Sequence, residues 1–382
     1  MQPHKLRVII SGGGTGGHIF PAIAIANALK KINPSNEILF VGALGRMEMD
    51  KVPAAGYKIV GLDISGIQRK ISLKNFLLPI KIIKSILKAK EIIRNFSPDA
   101  AIGVGGYASG PMLYAATSMN IPSLIQEQNS FAGITNKILS KRVQRICVAY
   151  EGMEKYFPET KIILTGNPVR EDVIKIEGKK QEAFNFFGLD NNKKTVLVIG
   201  GSLGSRTINE CIEAGLEAFR AKNIQLIWQT GIAFGTKAKQ LVTSRGSKGI
   251  VTFEFIQRMD FAFAVADLII SRSGASSVSE LALVAKPVIL VPSPNVAEDH
   301  QTKNALALVK KNAALLVKDS EARMDLVKKT IEVLNNDKLL SLLSENIKTL
   351  AVRDSADKIA NEVYKIVNKH PDSNRDQIPV KT

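Results

Sequence analysis

Two glycine-rich segments each follow a short apolar run and precede a helical stretch. Gly12-Gly13-Gly14-Thr15-Gly16-Gly17-His18 follows Val8-Ile9-Ile10, and Gly200-Gly201-Ser202-Leu203-Gly204 follows Val198-Ile199. Glycines permit a tight turn from strand to helix and let backbone N–H groups approach a phosphate closely. Both segments therefore predict βα turns, and the chemistry that they favour is contact with a phosphate or a sugar. A tight turn without a ligand is the alternative.

The first segment formally matches the dinucleotide-binding pattern as Gly12-x-Gly14-x-x-Gly17. A run of glycines satisfies many patterns, and this one also requires an acidic residue near the end of the second strand to hold a ribose. Here that strand ends Phe40-Val41-Gly42-Ala43, so nicotinamide or flavin binding is disfavoured. The sequence also lacks G-x-x-x-x-G-K-[ST], which excludes a P-loop nucleotidase.

Two titratable side chains lie where they could act on a ligand. His18 ends the first segment and precedes the apolar stretch 19–29, where an imidazole could exchange a proton with a substrate hydroxyl. A structural histidine at a helix start is the alternative. Glu280 lies about two turns into the helix that Ser273-Gly274-Ala275-Ser276-Ser277-Val278-Ser279 opens. The N–H groups of that helix start suit an anion, and Glu280 could accept both ribose hydroxyls or simply lie at the surface.

A basic and apolar segment covers residues 69–94. Its basic residues, interleaved with isoleucines, leucines and Phe76, are Arg69, Lys70, Lys74, Lys81, Lys84, Lys88, Lys90 and Arg94. We expect an irregular apolar loop, including Phe76 and Leu77, and then a helix from about Pro79. A basic rim around exposed apolar side chains is typical of a protein that lies on anionic lipid. An ordinary core helix with a solvated lysine face is the alternative.

The composition narrows the remaining classes. The chain has 382 residues and a formal charge of +17, but one Trp and six Tyr offer little stacking surface, so nucleic-acid binding is disfavoured. Cys147 and Cys211 are the only cysteines, and the four histidines are not paired at ligand spacing, which argues against disulfides and zinc. No run of 18 apolar residues occurs, so we expect a cytoplasmic protein without a membrane-spanning helix.

Continuous apolar runs alternate with helical stretches, as in parallel sheets covered on both faces. The predicted strands are 6–10, 37–41, 57–60, 99–104, 122–125, 144–148 and 161–164, then 195–199, 224–228, 249–253, 267–270, 288–291 and 313–317. The alternation starts twice, so we predict two doubly wound α/β domains facing across a cleft lined by loops at the carboxyl ends of the strands. Residues 320–367 are predicted to be helical.

Seven motifs in order resemble the MurG-type N-acetylglucosaminyltransferases of bacterial peptidoglycan synthesis. They are Gly12 to Ala22, Gly105-Gly106-Tyr107-Ala108-Ser109-Gly110-Pro111, Glu127-Gln128-Asn129, Ala132-Gly133-Ile134-Thr135-Asn136, Gly166-Asn167-Pro168-Val169-Arg170, Gly200 to Gly204 and Asp299-His300-Gln301-Thr302-Lys303-Asn304-Ala305. The resemblance implies a GT-B fold with an acceptor domain at 1–168, a donor domain at 169–350 and a helix at 351–368 returning to the first domain. The polar tail at 369–382 is expected to be disordered.

The resemblance also implies a reaction. It is the inverting transfer of GlcNAc from UDP-GlcNAc to the C4 hydroxyl of the MurNAc of lipid I, the undecaprenyl-linked acceptor, giving lipid II and UDP. The family uses no cofactor or metal in this step. It works as a peripheral protein at an anionic membrane surface, on the cytoplasmic face of the inner membrane, and can contact other cell-wall synthesis proteins. Another GT-B enzyme, such as a UDP-GlcNAc 2-epimerase, or a non-catalytic lipid-binding or nucleotide-sensing module is the alternative.

The resemblance assigns roles to individual residues. The donor residues would be Thr15, Gly16, Gly17, Asn129, Arg170, Ser202, Ile256, Ala275, Ser276, Ser277, Val278, Ser279, Glu280 and Gln301. Tyr107 and Glu127 would lie on the acceptor side, and Lys70, Lys74, Phe76, Leu77, Lys81 and Lys84 would face the membrane. Many relatives have a histidine before Glu-Gln-Asn, where this chain has Gln126, and this leaves His18 as the expected general base.

Overall fold

The computed structural model describes residues 4–64, 78–169, 171–201, 203–244, 248–296 and 299–370. The chain divides into two compact units. The first unit holds residues 1–169 together with 354–382, and the second holds residues 170–353.

The first unit is built on a seven-stranded parallel sheet in the order β3-β2-β1-β4-β5-β6-β7. Its strands are β1 (Arg7–Ser11), β2 (Glu37–Ala43), β3 (Lys58–Leu62), β4 (Ala100–Gly103), β5 (Ser123–Glu127), β6 (Arg145–Val148) and β7 (Ile162–Leu164). In the register of β1, Ser11 is opposite both Val41 of β2 and Gly103 of β4. The chain order reverses at β1, and loops that follow strands on either side of such a point are where ligands bind in open α/β sheets.

Helices cover both faces of this sheet. They are α1 (Gly16–Ile32), α2 (Glu48–Ala54), α3 (Leu78–Phe96), α4 (Ser109–Ser118) and α5 (Ile134–Leu139), with short 3₁₀ turns at Met153–Lys155 and Glu159–Lys161. Val8 and Ile10 of β1 pack in one core layer with Ile25 of α1. Ile9 points to the other face and packs in a layer with Met112 of α4. Burial on both faces explains why the strands are apolar without alternation.

The second unit has a six-stranded parallel sheet in the order β10-β9-β8-β11-β12-β13. Its strands are β8 (Thr195–Ile199), β9 (Gln225–Gln229), β10 (Ile250–Phe253), β11 (Leu268–Ser271), β12 (Val288–Leu290) and β13 (Leu315–Leu316). Its helices are α6 (Glu171–Ile174), α7 (Lys180–Phe187), α8 (Arg206–Ala221), α9 (Ile232–Ser244), α10 (Met259–Val265), α11 (Ala275–Val284), α12 (His300–Val309), α13 (Ala322–Leu334) and α14 (Asp337–Lys348). The prediction of two doubly wound α/β domains is confirmed.

The helical segment at the end of the chain is shared between the units. Helices α13 and α14 belong to the second unit, whereas α15 (Ser355–Asn368) belongs to the first. Ile359, Ala360 and Val363 of α15 lie in the same core layer as α1. Asn36 donates a hydrogen bond to the Tyr364 hydroxyl at 2.9 Å. The tail beyond residue 370, which we expect to be disordered, lies outside the described residues.

Candidate active site

The first glycine loop, residues 12–17, leaves the carboxyl end of β1 and lies between the ends of β2 and β4. The Gly12 N–H donates to the Val41 carbonyl, and the Gly13 N–H donates to the Gly105 carbonyl, both at 3.3 Å. Gly14 has a φ of +87°, a conformation that side chains rarely adopt. The loop is therefore held against both neighbouring strand ends.

The glycine pair after β4 makes this close approach possible. Gly105 and Gly106 have φ values of +89° and +86°. A Cβ atom on Gly106 would overlap the carbonyl oxygen of Gly13, and one on Gly105 would lie 2.7 Å from Cδ2 and Nε2 of His18. Hence the two loops touch, and the His18 ring lies over Gly105.

His18 is the third residue of α1 and does not precede the helix, because the helix begins at Gly16 after the extended N-cap residue Thr15. The His18 N–H donates to the Thr15 carbonyl at 3.1 Å, and its Nδ1 lies 3.2 Å from the Thr15 hydroxyl. Thr15 thus fixes the ring from the Nδ1 side. An imidazole held at a loop surface in this way is suited to accept a proton.

Glu127 ends β5 with its side chain buried. One carboxylate oxygen accepts from the backbone N–H of Asn129 at 3.1 Å and from its side-chain amide at 3.2 Å. The other accepts from the Gly133 N–H at 3.1 Å and from the Asn136 amide at 2.8 Å. The structure therefore shows Glu127 shaping the loop that carries Asn129.

Three buried amides lie beside this loop. Gln126 donates to Asn167 at 2.9 Å, Asn167 donates to the Gln128 carbonyl at 2.9 Å, and Gln128 donates to the Val104 carbonyl at 2.8 Å. Gln128 also contacts the Gln126 side-chain oxygen. Gln126, whose position the resemblance singled out, is thus an amide that forms hydrogen bonds within the protein.

Tyr107 lies at the surface after the glycine pair. The Arg46 guanidinium lies 5.9 Å from the centre of its ring. Both side chains are exposed, so this edge of the first unit offers an aromatic face and a cation to solvent.

The second glycine loop, residues 200–204, follows β8 in the second unit. Gln229, buried at the end of β9, donates to the Gly201 carbonyl at 3.0 Å and accepts from the Ile256 N–H at 3.1 Å. A Cβ atom on Gly204 would overlap the Thr230 carbonyl oxygen. Gln229 therefore joins the loop to the segment of Ile256, two places that the sequence had marked separately.

The N-cap residue of α11 is Gly274, which has no side chain to cap the helix start. Ser279 donates to the Ala275 carbonyl at 3.1 Å, whereas the Ser276 hydroxyl is buried without a hydrogen-bond partner in the described part of the chain. Val278 packs its side chain into the unit. Ala275, Ser277 and Glu280 are partly exposed at this end of the helix.

Gln301 of α12 lies against the loop before α11. Its carbonyl accepts from the Ser273 hydroxyl at 2.8 Å, and its side-chain oxygen accepts from the Ser293 N–H at 2.9 Å. The same loop holds Arg272, whose guanidinium donates to the carbonyls of Val291 at 2.9 Å and Pro292 at 3.0 Å. These contacts fix the loop before α11 to the segment after β12.

Sequence reasoning missed three supporting residues. Glu48 accepts from the first glycine loop, Gln229 donates to the second, and Asp319 pairs with Arg272 at 2.5 Å. Each partner is distant in sequence, so no local pattern indicates the contact. Among the described residues, no three His, Cys, Asp or Glu side chains group as metal ligands.

Six of the predicted site residues lie outside the described residues. They are Lys70, Lys74, Phe76, Leu77, Arg170 and Ser202. Lys81 and Lys84 are described on α3, where Lys81 pairs with Asp63 at 3.1 Å. None of the described helices has the length and apolar character that crossing a membrane needs.

Two protein-family models match this chain. The glycosyltransferase family 28 N-terminal domain matches residues 8–148, and the family 28 C-terminal domain matches residues 195–361. The chain belongs to glycosyltransferase family 28. The first matched range contains β2 to β6 and the first glycine loop, and the second contains β8 to β13 and the second glycine loop.

Named relatives of this family 28 chain cover nearly its whole length. A protein of Parabacteroides distasonis is 58% identical over 96% of this chain and 99% of its own length. One of Cytophaga hutchinsonii is 56% identical over 95% and 97%. Both are named UDP-N-acetylglucosamine--N-acetylmuramyl-(pentapeptide) pyrophosphoryl-undecaprenol N-acetylglucosamine transferase.

Solved structures show the same GT-B architecture. The crystal structure of Acinetobacter baumannii MurG matches with a TM-score of 0.78 and 27% identity, covering 94% of this chain and 99% of that one. A UDP-GlcNAc 2-epimerase from Neisseria meningitidis matches with a TM-score of 0.64 and 16% identity, covering 94% and 98%. The second likeness concerns the fold alone.

Proposed function

We propose that this family 28 glycosyltransferase transfers GlcNAc from UDP-GlcNAc to the C4 hydroxyl of the MurNAc in lipid I. The products are lipid II and UDP, and the anomeric carbon is inverted. The observation that carries the proposal is the 58% identity with a transferase of that name over 96% of the chain. The second glycine loop and the start of α11 are consistent with it, because backbone N–H groups at such sites suit a nucleotide sugar.

The donor is assigned to the second unit. Glu280 would accept the ribose hydroxyls, the backbone of Ile256 would contact the uracil, and Gln301 would bind GlcNAc hydroxyls. N–H groups at the start of α11, with Ser202 and Arg170, would face the pyrophosphate. The buried Ser276 hydroxyl without a described partner supports this assignment, since buried polar groups are rarely left without a hydrogen bond.

The acceptor is assigned to the first unit, with His18 as general base. The imidazole would take the proton of the C4 hydroxyl as its oxygen bonds to the anomeric carbon and the bond to UDP breaks. Thr15, Gly16, Gly17 and Asn129 would contact the donor sugar, and Tyr107 and Glu127 would lie on the acceptor side. General base catalysis contributes about 10²- to 10⁴-fold, and stabilisation of the leaving pyrophosphate supplies a further large term.

Attachment to a membrane surface is proposed for α3. Ile80, Ile83 and Leu87 follow the i, i+3, i+7 spacing of one helix face and are 51%, 58% and 62% exposed. Lys81, Lys84 and Lys88 flank this face. An apolar stripe with a basic rim fits an anionic bilayer, where a polyprenyl-linked acceptor resides.

The attachment is tested with anionic vesicles. Changing Lys70, Lys74, Lys81 and Lys84 to Glu should release the protein at low salt, and Phe76→Ser with Leu77→Ser should weaken the salt-resistant part of binding. A matched variant changes four exposed lysines of the second unit, Lys310, Lys328, Lys338 and Lys348, to Glu. Equal release by both charge-reversed variants would place the membrane contact elsewhere.

The function itself is tested with purified protein, UDP-GlcNAc and a water-soluble lipid I analogue. We expect UDP release that depends on the analogue and a disaccharide product joined through C4. UDP release at the same rate without acceptor, or formation of the 2-epimer of the donor sugar, would overturn the proposal. Activity on a short-chain soluble acceptor should survive the membrane variants.

A further inference from the structure

Glu48, the first residue of α2, turns its side chain back under the first glycine loop. It is 1% exposed. One carboxyl oxygen accepts from the Gly14 N–H at 2.8 Å, and the other accepts from the Ala43 N–H at the end of β2 at 3.0 Å. A single carboxyl group therefore joins the loop to the neighbouring strand end.

Gly13 and Gly42 leave the space that the Glu48 side chain occupies. A Cβ atom on Gly13 would overlap the Glu48 carboxyl group, and one on Gly42 would lie 2.6 Å from its Cγ. The glycines at these two positions are thus explained by the presence of Glu48. Two glycines and two N–H donors therefore surround the Glu48 side chain.

The loop that Glu48 holds also carries the proposed base. Gly13 is bonded through its N–H to the carbonyl of Gly105, and the His18 ring lies over Gly105. A displacement of Gly13 and Gly14 would move both the start of α1 and the surface beneath the imidazole. The geometry couples the Glu48 carboxyl group to the position of His18 through backbone alone.

We propose that Glu48 is a positioning residue for the transfer reaction, holding the first glycine loop so that His18 meets the acceptor hydroxyl. The proposal rests on the proposed function. The Glu48 carboxyl group contacts the backbone N–H groups of Gly14 and Ala43, so we expect it to act on turnover through the position of the loop. Its removal should slow the reaction and leave binding of UDP to the second unit intact.

The chemistry of the contact explains why the residue is acidic. A carboxylate only accepts hydrogen bonds, and both groups that face it here are N–H donors. A glutamine of the same shape has one acceptor oxygen, and its NH₂ group would face the second N–H. Glu48→Gln therefore breaks one of the two contacts with almost no change in volume.

The test compares Glu48→Gln with Asp50→Asn, an exposed carboxylate two residues further along α2 that loses the same charge. With the soluble acceptor, Glu48→Gln should lower kcat about tenfold to a hundredfold, as expected for a lost hydrogen bond to a charged group. The Kd of UDP and its binding stoichiometry by calorimetry should stay within about twofold of the parent chain, because the nucleotide is assigned to the other unit and residues 15–17 are assigned only to the donor sugar. Amide exchange of residues 12–18 should accelerate while that of β4 does not.

A second variant displaces the Glu48 side chain without removing it. Gly42→Ala places a methyl group against the Glu48 side chain, so it should lower kcat in the same way. In the Gly42→Ala/Glu48→Ala double variant the two effects should not multiply, because both act through one contact.

Three results would overturn the proposal. One is a Glu48→Gln kcat within twofold of that of Asp50→Asn. Another is that the kcat losses of Gly42→Ala and Glu48→Ala multiply in the double variant. The third is a loss of UDP-binding stoichiometry in step with kcat. The exchange of residues 12–18 is measured without substrate. If the parent chain transfers no GlcNAc but exchange of residues 12–18 is still faster in Glu48→Gln, the proposed function fails, whereas the role of Glu48 in holding the loop is supported.

Discussion

The two glycine loops of this chain occupy equivalent places in their sheets but are held in opposite ways. In the first unit, Glu48 accepts a hydrogen bond from the Gly14 N–H. In the second, Gln229 donates a hydrogen bond to the Gly201 carbonyl. A carboxylate thus uses a donor of the first loop and brings a negative charge to it, whereas a neutral amide uses an acceptor of the second loop.

This difference bears on which loop suits a phosphate. Backbone N–H groups at a helix start favour an anion, and a buried carboxylate beside them opposes one. In the second loop, Gln229 contacts the Gly201 carbonyl and is a neutral amide, so this loop fits the pyrophosphate of the donor better than the first. The first loop fits a role in placing His18 against a neutral sugar hydroxyl. The two loops are therefore assigned different roles, one in binding the donor and one in positioning His18.

The largest effect is expected from His18→Ala. If the imidazole takes the acceptor proton, kcat should fall about 10²- to 10⁴-fold, and the donor Kd should hardly change. The measurement is steady-state transfer to the soluble acceptor together with calorimetry of UDP-GlcNAc. His4→Ala, an exposed histidine of the same unit, is the control. An unchanged kcat with a raised donor Kd would assign His18 to donor binding and would contradict the proposed difference between the two loops.

Glu280→Ala should show the converse pattern. Loss of hydrogen bonds from the ribose to a charged acceptor costs about 1.5–3 kcal/mol, or about a tenfold to hundredfold rise in the donor Kd. Glu217→Ala removes an exposed glutamate from α8 and should leave the Kd unchanged. Calorimetry with UDP-GlcNAc checks this, and equal affinity in both variants would remove Glu280 from the ribose.

Changing Gln229 to glutamate, the residue type at position 48, tests the comparison of the two loops directly. Gln229→Glu cannot donate to the Gly201 carbonyl and brings a carboxylate to the second loop, as in the first. We expect the donor Kd to rise about tenfold, since one buried hydrogen bond is lost and an anion faces the pyrophosphate. Gln181→Glu, at an exposed site of α7, is the control. A donor Kd that rises as much in Glu48→Gln as in Gln229→Glu would contradict the division between the loops.

The smallest effect concerns Asp260, which secures the segment that carries Ile256. Arg258 donates to both carboxylate oxygens of Asp260 at 3.0 and 2.9 Å, and Lys179 donates to one of them at 2.7 Å. The Arg258 guanidinium, and then the Lys179 ammonium, hold the pKa of Asp260 below its ordinary value. A carboxyl group whose pKa is lowered by folding stabilises the protein above its unfolded pKa of about 4, and the contribution is lost as the pH falls further.

Asp260→Asn should therefore lower the melting temperature at pH 7 by a few degrees. Both cations are partly exposed to solvent, so we expect a cost of only about 1–2 kcal/mol. The difference between parent and variant should shrink as the pH falls below about 4. Asp337→Asn breaks an exposed pair with Lys194 and is the comparison. A difference that persists undiminished at pH 3 would show that the charge of Asp260 is not its cause.

Much of the fold could be predicted because its signals are local. Every predicted strand coincides with an observed one, and 195–199 agrees at both ends. Continuous apolar runs report burial on both faces, and glycines report positive φ values, such as +87° at Gly14 and +88° at Gly201. The glycine loops could be predicted for the same reason, and the start of α11 could be predicted from the small residues that follow a strand.

The partners of those loops could not be predicted. The second strand ends without an acidic residue, yet Glu48, five residues beyond it, turns back to that strand end and to a loop 34 residues earlier. Gln229 and Ile256 are 27 residues apart, and Arg272 and Asp319 are 47 apart. The type of a polar residue in a strand or at a helix start does not indicate which distant N–H or carbonyl group it will contact.

The end of the chain shows the same limit. Residues 320–367 read as helical throughout, because apolar positions such as Val327 and Ile331 or Leu339 and Leu343 recur at helical spacing. The sequence by itself determined that each helix must bury one face. Only the tertiary structure decided that α13 and α14 do so against the second unit and α15 against α1 of the first. The physical reason is that an amphipathic face records the need for burial, whereas the partner is set by which complementary surface the folded sheets leave uncovered.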